Sequence, residues 1–346
     1  RGWTGRGGLV YIRTMQPVMY LLSLLHRLGC RIRNVLYEKG LLASAEAPLP
    51  VVSVGNISFG GSEKTPLAQE LLRHLKEKGI RPALVTRGYR GRWERTGGVL
   101  TRGGELQGTW RDSGDEPYMV ARNLPEAGVY VGKDRLASCR MAKADGFQVA
   151  VLDDGFQHRR LKRELDILLF DPEEKIRLRE SVSAMQRADS VFLKQNPTEP
   201  HPEGLTRRFS DTRFFSYRVV AQEVYSVALH ESSSLADWKG KSILAFCGIA
   251  RPERFFALLN SEGIHPSGTV RFPDHHPYPP GSIVRIRTRL AKSGAEAAFT
   301  TEKDAVKLGT LPDCSDLPLY YVKIALEIDP AFYEYLHSRI GPLTCA

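Results

Sequence analysis

Residues 51–66, Val-Val-Ser-Val-Gly-Asn-Ile-Ser-Phe-Gly-Gly-Ser-Glu-Lys-Thr-Pro, constrain the chain more than any other stretch. A short β-branched run enters a glycine-containing loop, and Lys-Thr then opens an amphipathic helix. Loop N–H groups and a helix N-terminus form an anion cradle when a buried parallel strand fixes them, so this order belongs to an open α/β sheet. Lys64 is placed to reach a terminal phosphate, and the Thr65 hydroxyl to hold Mg²⁺. Gly60, Gly61 and Ser62 supply flexibility and donors. Aligned on Lys64-Thr65, a Walker A loop calls for glycine at positions 58 and 63, where this chain has Ser58 and Glu63. The bland alternative is an ordinary strand-turn-helix corner.

The chain downstream supports the cradle. Val149 to Leu152 is an apolar run that ends in Asp153-Asp154-Gly155-Phe156-Gln157-His158, the form of a Walker B strand bringing oxygen ligands to a phosphate-bound metal. Further buried strands are predicted at Pro82 to Thr86, Leu165 to Phe170 and Ser190 to Lys194, alternating with helices. The fold class is α/β: a P-loop NTPase-like, doubly wound, mostly parallel sheet. The basic loop Arg87 to Arg92 falls at the strand ends where such sheets bind ligands. Asp115-Glu116 precedes a helix, so Asp115 reads either as a helix cap or as a carboxylate aimed at the phosphate site.

Pro197 to Thr212 reads as a boundary, giving a core over residues 48–212, linker strands over 213–238 and a second, smaller α/β domain over 239–346. The second domain contributes Asp274-His275-His276 in a proline-rich loop. Two adjacent histidines there suit a general-base partner better than a metal site. Trp93 to Trp110 is expected to form a hairpin or an excursion.

Residues 1–47 form an N-terminal basic extension. Residues 1–39 hold seven basic side chains against one acidic, six of the ten excess positive charges of the chain. Apolar residues recur at helical spacing from Pro17 to Tyr37, through Leu21, Leu25, Leu28, Ile32 and Val35. The uncharged part is about half of the ~20 residues a membrane span needs, so a basic amphipathic helix lying in a membrane interface is expected, with a helix packed on its own domain as the alternative. Residues 1–14 carry little weight, and Met15 is a candidate start. No nucleic-acid-binding motif accompanies the charge. Five widely spaced cysteines without a CxxC pair fit a reducing, cytoplasmic setting.

Taken in order, Val54 to Pro66, Arg87-Gly88-Tyr89, Gly114-Asp115-Glu116-Pro117, Leu152 to His158, Leu178-Arg179-Glu180, Asp274-His275 and Thr300-Thr301-Glu302-Lys303-Asp304 resemble the tetraacyldisaccharide 4′-kinase family over nearly the whole chain from Met15. The resemblance implies ATP- and Mg²⁺-dependent transfer of a phosphoryl group to the 4′-hydroxyl of a tetraacylated glucosamine disaccharide 1-phosphate. It also implies anionic lipids at the cytoplasmic face of a Gram-negative inner membrane, and the chain is expected to act as a monomer. Asp115 is then the base and His275 its orienting partner. Lys64, Ser62, the loop amides of Gly60, Gly61 and Glu63, and Gln157 lie toward the nucleotide. Thr65, Asp154, Asp153 and Glu116 lie toward the metal, Arg179 stabilises transferred charge, and Glu180 fixes geometry. Glu63 is expected to lower ATP affinity by adding negative charge near the phosphates. Two alternatives remain: a weak or inactive lipid A precursor binder with a degraded loop, and another P-loop small-metabolite kinase.

Overall fold

A computed structural model describes residues 29–58, 60, 63–172, 178–229 and 231–344, with side chains described as far as residue 341. The expected helix over residues 17–37 lies outside the described residues up to residue 28. Residues 29–38 are helical (α1), and Ile32, Val35, Leu41 and Leu42 on it and just after it are exposed.

The organising unit forms as its sequence requires. β1 (Val51–Asn56) is fully buried, and α2 (Lys64–Glu77) follows the loop. Leu67, Leu71, Leu72 and Leu75 sit on one buried face of α2, at the helical period. Each such leucine contributes roughly 1.5–3 kcal/mol on burial. Gly79, at φ 77°, takes the left-handed position just beyond the helix.

The chain continues through β2 (Pro82–Thr86), the one-turn helix α3 (Trp93–Thr96), β3 (Gly98–Arg102), the one-turn helix α4 (Trp110–Ser113), α5 (Asp115–Asn123), β4 (Gly128–Val131) and α6 (Arg135–Ala144). Then come β5 (Val149–Asp153), β6 (Leu165–Phe170), β7 (Ser190–Lys194), α7 (Glu203–Arg208), β8 (Arg213–Ser226) and β9 (Ser232–Ser234). The second half holds β10 (Ile243–Cys247), α8 (Pro252–Ser261), β11 (Gly268–Arg271), α9 (Pro280–Ser293), β12 (Ala297–Thr301), α10 (Glu302–Leu308), β13 (Leu319–Ile328) and α11 (Ala331–Thr344).

All thirteen strands described join one sheet, in the order β11-β10-β12-β13-β8-β7-β6-β1-β5-β2-β4-β3, with β9 beside β8. The pairs are parallel except β3–β4, β8–β13 and β8–β9. The segment expected to link two domains is therefore part of the sheet. The first residues of β8 pair parallel with β7, and the rest pair antiparallel with β13. α11 returns to the first half, where Phe332, Leu336 and Ile340 share a core with Val52, Ile167 and Phe192. The excursion after Trp93 supplies an edge strand, β3, paired with β4.

Candidate active site

A cleft of about 1190 Å³ opens between the two halves, at the carboxyl ends of β1 and β5. Two groups of side chains face it, one from the phosphate loop and one assembled across the halves.

In the first group, Phe59, Gly61 and Ser62 lie outside the described residues, while Gly60 and Glu63 are placed at the head of α2. The Thr65 hydroxyl donates to Asp153 Oδ2 at 2.9 Å. Lys64 Nζ lies 3.3 Å from Asp154 Oδ1, and Arg179 Nη1 lies 3.5 Å from Asp154 Oδ2. The two acids at the end of β5 differ in their surroundings. Burial and the neighbouring Glu116 and Asp154 carboxylates push Asp153 up to about 7, with Lys64 and the Thr65 hydrogen bond opposing. Burial also raises Asp154, but Lys64 and Arg179 outweigh it and hold Asp154 below the usual carboxylate range.

Gln157 and Glu180 sit behind the loop. Gln157 Nε2 donates to the Asn56 carbonyl at 2.7 Å and to Glu180 Oε1 at 3.2 Å. Glu180 also accepts from Asn34 of α1 at 2.7 Å and pairs with Arg187. The end of β1 is thus tied to the N-terminal helix.

The second group centres on Asp115, buried at the start of α5. The approach to it is tight: a Cβ at Gly91 would meet Gly114 N at 2.5 Å, so the basic loop after β2 lies directly against the Asp115 turn. His275 Nδ1 lies 2.9 Å and 3.0 Å from the two Asp115 carboxylate oxygens, and Lys307 Nζ lies 3.5 Å from Oδ2. Lys303 Nζ bonds Glu116 Oε1 at 2.9 Å and lies 3.3 Å from His275 Nε2 and 3.5 Å from Asp274 Oδ1. Facing a carboxylate on one side and an ammonium on the other, the imidazole donates from Nδ1 and accepts at Nε2. Burial raises Asp115, but Lys303, His275 and Lys307 together hold it well below the usual carboxylate range.

Asp115 and Glu116 come from the first half, whereas His275, Lys303 and Lys307 come from the second. Lys303 stood in one of the motifs that carry the resemblance, but neither it nor Lys307 was given a role from the sequence. Lys307 is 1% exposed and paired with Asp304 at 3.0 Å. The available signal was their i, i+4 spacing on the short helix after β12, which puts both on one face.

Glu63 is placed differently from the expectation of a charge aimed at the phosphates. Its carboxylate meets Lys194 Nζ at 3.0 Å and Arg254 Nη1 at 2.9 Å, and accepts from the Tyr217 hydroxyl at 3.4 Å. Two cations at that distance offset most of its charge.

Comparison with known proteins places the chain in a family. The family described as Tetraacyldisaccharide-1-P 4′-kinase matches residues 15–341. A tetraacyldisaccharide 4′-kinase from Desulfatibacillum aliphaticivorans is 35% identical over 342 residues, covering 93% of this chain and 92% of the relative. One from Pelobacter propionicus is 36% identical over 331 residues, covering 92% and 91%. The crystal structure of the "apo" form of LpxK from Aquifex aeolicus in complex with ATP superposes with a TM-score of 0.74 at 27% identity, covering 96% of this chain and 99% of that one. The chain belongs to the tetraacyldisaccharide-1-P 4′-kinase family.

Proposed function

We propose that this protein transfers the γ-phosphoryl group of ATP to the 4′-hydroxyl of a tetraacylated glucosamine disaccharide 1-phosphate. The observation that carries the reading is the Asp115–His275 pair, built from both halves and lining the same cleft as Lys64, Thr65 and Asp153. The O4′–H bond breaks as the O4′–phosphorus bond forms, and the bond from the γ-phosphorus to the β–γ bridging oxygen breaks to release ADP. Asp115 accepts the 4′-hydroxyl hydrogen bond and takes the proton, while His275 fixes the carboxylate's orientation. A carboxylate held ionised by two lysines is a weak base, which suits a loose transition state in which the base chiefly positions the nucleophile. Lys64 and Arg179 meet charge on the transferred group.

Among the described residues no three His, Cys, Asp or Glu side chains converge as a metal cage. Mg²⁺ needs less, one or two carboxylates with substrate phosphates and water. Asp153 Oδ1 is buried without a hydrogen-bond donor, and Glu116 and Asp154 raise its proton affinity further. That deficit fits a divalent cation held by Thr65 and Asp153 with Asp154 and Glu116 nearby. Bound there, the ion would neutralise phosphate charge.

The enzyme works as a monomer at the cytoplasmic face of the inner membrane, where anionic headgroups meet the basic N-terminal segment. The membrane-interface placement is supported by exposed Ile32, Val35, Leu41 and Leu42 beside the basic N-terminal segment. A phosphoryl-transfer assay with labelled ATP and the lipid disaccharide tests the function. Wild type is expected to transfer label and Asp115→Ala to lose about 10²-fold or more. Absence of transfer by wild type refutes the kinase reading, and equal rates refute Asp115 as base.

A further inference from the structure

Glu63 occupies the last glycine position of a Walker A loop, and it does so at φ 54° and ψ 22°. Left-handed backbone disfavours a side chain, so a glutamate persists there only where its surroundings hold it. The surroundings come from three separate elements. Lys194 ends β7, Tyr217 lies on β8, Arg254 lies in the first turn of α8, and Arg254 also pairs with Asp171 just after β6. The Glu63 side chain is 13% exposed, and its charge and that of Asp171 are matched by Lys194 and Arg254. Arg251, which precedes α8, reaches the same loop: its Nε would stand 3.5 Å from a Cβ at Gly60. The head of the phosphate loop is thereby fastened to the second half.

We infer that Glu63 is a positioning residue that ties the phosphate loop to the second half through Arg254 and to β7 through Lys194, and so sets the affinity for ATP rather than the rate of transfer. This rests on the proposed kinase reaction. A glycine at position 63 relieves backbone strain but leaves the loop untied. The glutamate trades that freedom for a loop held in register with α8. The cost expected from negative charge near the phosphates is met by Lys194 and Arg254, so removal of the charge is expected to weaken ATP binding, not to strengthen it.

The test measures binding of a fluorescent N-methylanthraniloyl ATP and the KM and kcat of phosphoryl transfer in full-length protein, for Glu63→Gln, Arg254→Gln and the double variant. Glu63→Gln is expected to raise Kd and KM for the nucleotide about 5- to 20-fold while kcat stays within about 3-fold, and to add a smaller factor once Arg254 is already Gln, when only the Lys194 tie is left to lose. Glu63→Asp, which keeps the charge with a shorter reach, is expected to recover part of the loss. Glu203→Gln, which removes an exposed ion-paired glutamate from α7, controls for loss of one carboxylate and is expected to bind as wild type does. Unchanged or tighter binding by Glu63→Gln, a loss confined to kcat, or effects of the two substitutions that multiply would each overturn the inference. If wild type binds and turns over ATP while Glu63→Gln matches it, only this inference fails. If wild type does neither, the kinase reading fails with it.

Discussion

The two acid clusters of the cleft have similar ingredients and opposite electrostatics. Around Asp115 the protein supplies its own counter-charge: Lys303 and Lys307 flank the carboxylate, the His275 ring donates to it, and together they keep it ionised. Around Asp153 it does not, because Glu116 and Asp154 face the carboxylate and Lys64 is shared with Asp154. One carboxylate is paired within the chain; the other lacks a full counter-charge, the deficit that the proposed cation would fill. Under the proposed mechanism, the difference separates a base that must present a lone pair at all times from a carboxylate whose charge is useful only with phosphate bound.

The largest test breaks the acceptor side. Asp115→Asn is expected to lower kcat about 10²- to 10⁴-fold with ATP affinity little changed, read from steady-state kinetics. His275→Ala is expected to cost less, about 10- to 100-fold in kcat, because it orients the carboxylate and leaves Lys303 and Lys307 in place.

Asp153→Asn sharpens the contrast through stability without ligand. Because Asp153 has a raised proton affinity in the folded state, its penalty is absent below the ordinary carboxylate pKa near 3.9 and grows as pH rises toward about 7. The Asn variant is therefore expected to be more stable than wild type by about 1–4 kcal/mol at pH 8 and equal near pH 4, though inactive. Thermal melts at the two pH values check this. Asp115 carries the opposite sign. Its depressed pKa contributes stability that is fully present above about pH 4 and is lost as pH falls toward the lowered value. Asp115→Asn is thus expected to destabilise at pH 8 and to do so progressively less below pH 4.

The smallest effect concerns Lys307. Lys307→Met removes one of the cations that hold Asp115 ionised, and the acid limb of the kcat/KM pH profile is expected to move up by about one unit. Lys307→Arg keeps the charge and is expected to leave the limb in place, which separates this effect from simple loss of packing.

Much of this arrangement is legible in the chain. Buried parallel strands write themselves as short apolar runs, so β1, β2, β5, β6, β7, β10 and β12 stand out. Short strands do not: β4 has four residues and β11 is a four-residue edge, too brief for a period to show. β8 looks like two strands because Ala221-Gln222-Glu223 interrupts its apolar run. The interruption is a bulge, where Lys323 pairs with Glu223 and the next residue, Ile324, with Ala221. The phosphate loop, the two acids after β5 and the Asp115 turn were visible as local patterns, since each is a few residues at the end of one strand or helix.

The sequence by itself determined the strand-loop-helix cradle, the acidic end of β5 and the basic character of the N-terminal segment, because each depends only on neighbours in the chain. The tertiary structure decided which charges meet. α10 packs on α5 and so brings Lys303 and Lys307, nearly two hundred residues downstream, to Asp115 and Glu116. α8 brings Arg254 to Glu63. Coulombic energy depends on distance in space and on burial, and neither is written in the spacing of residues along the chain.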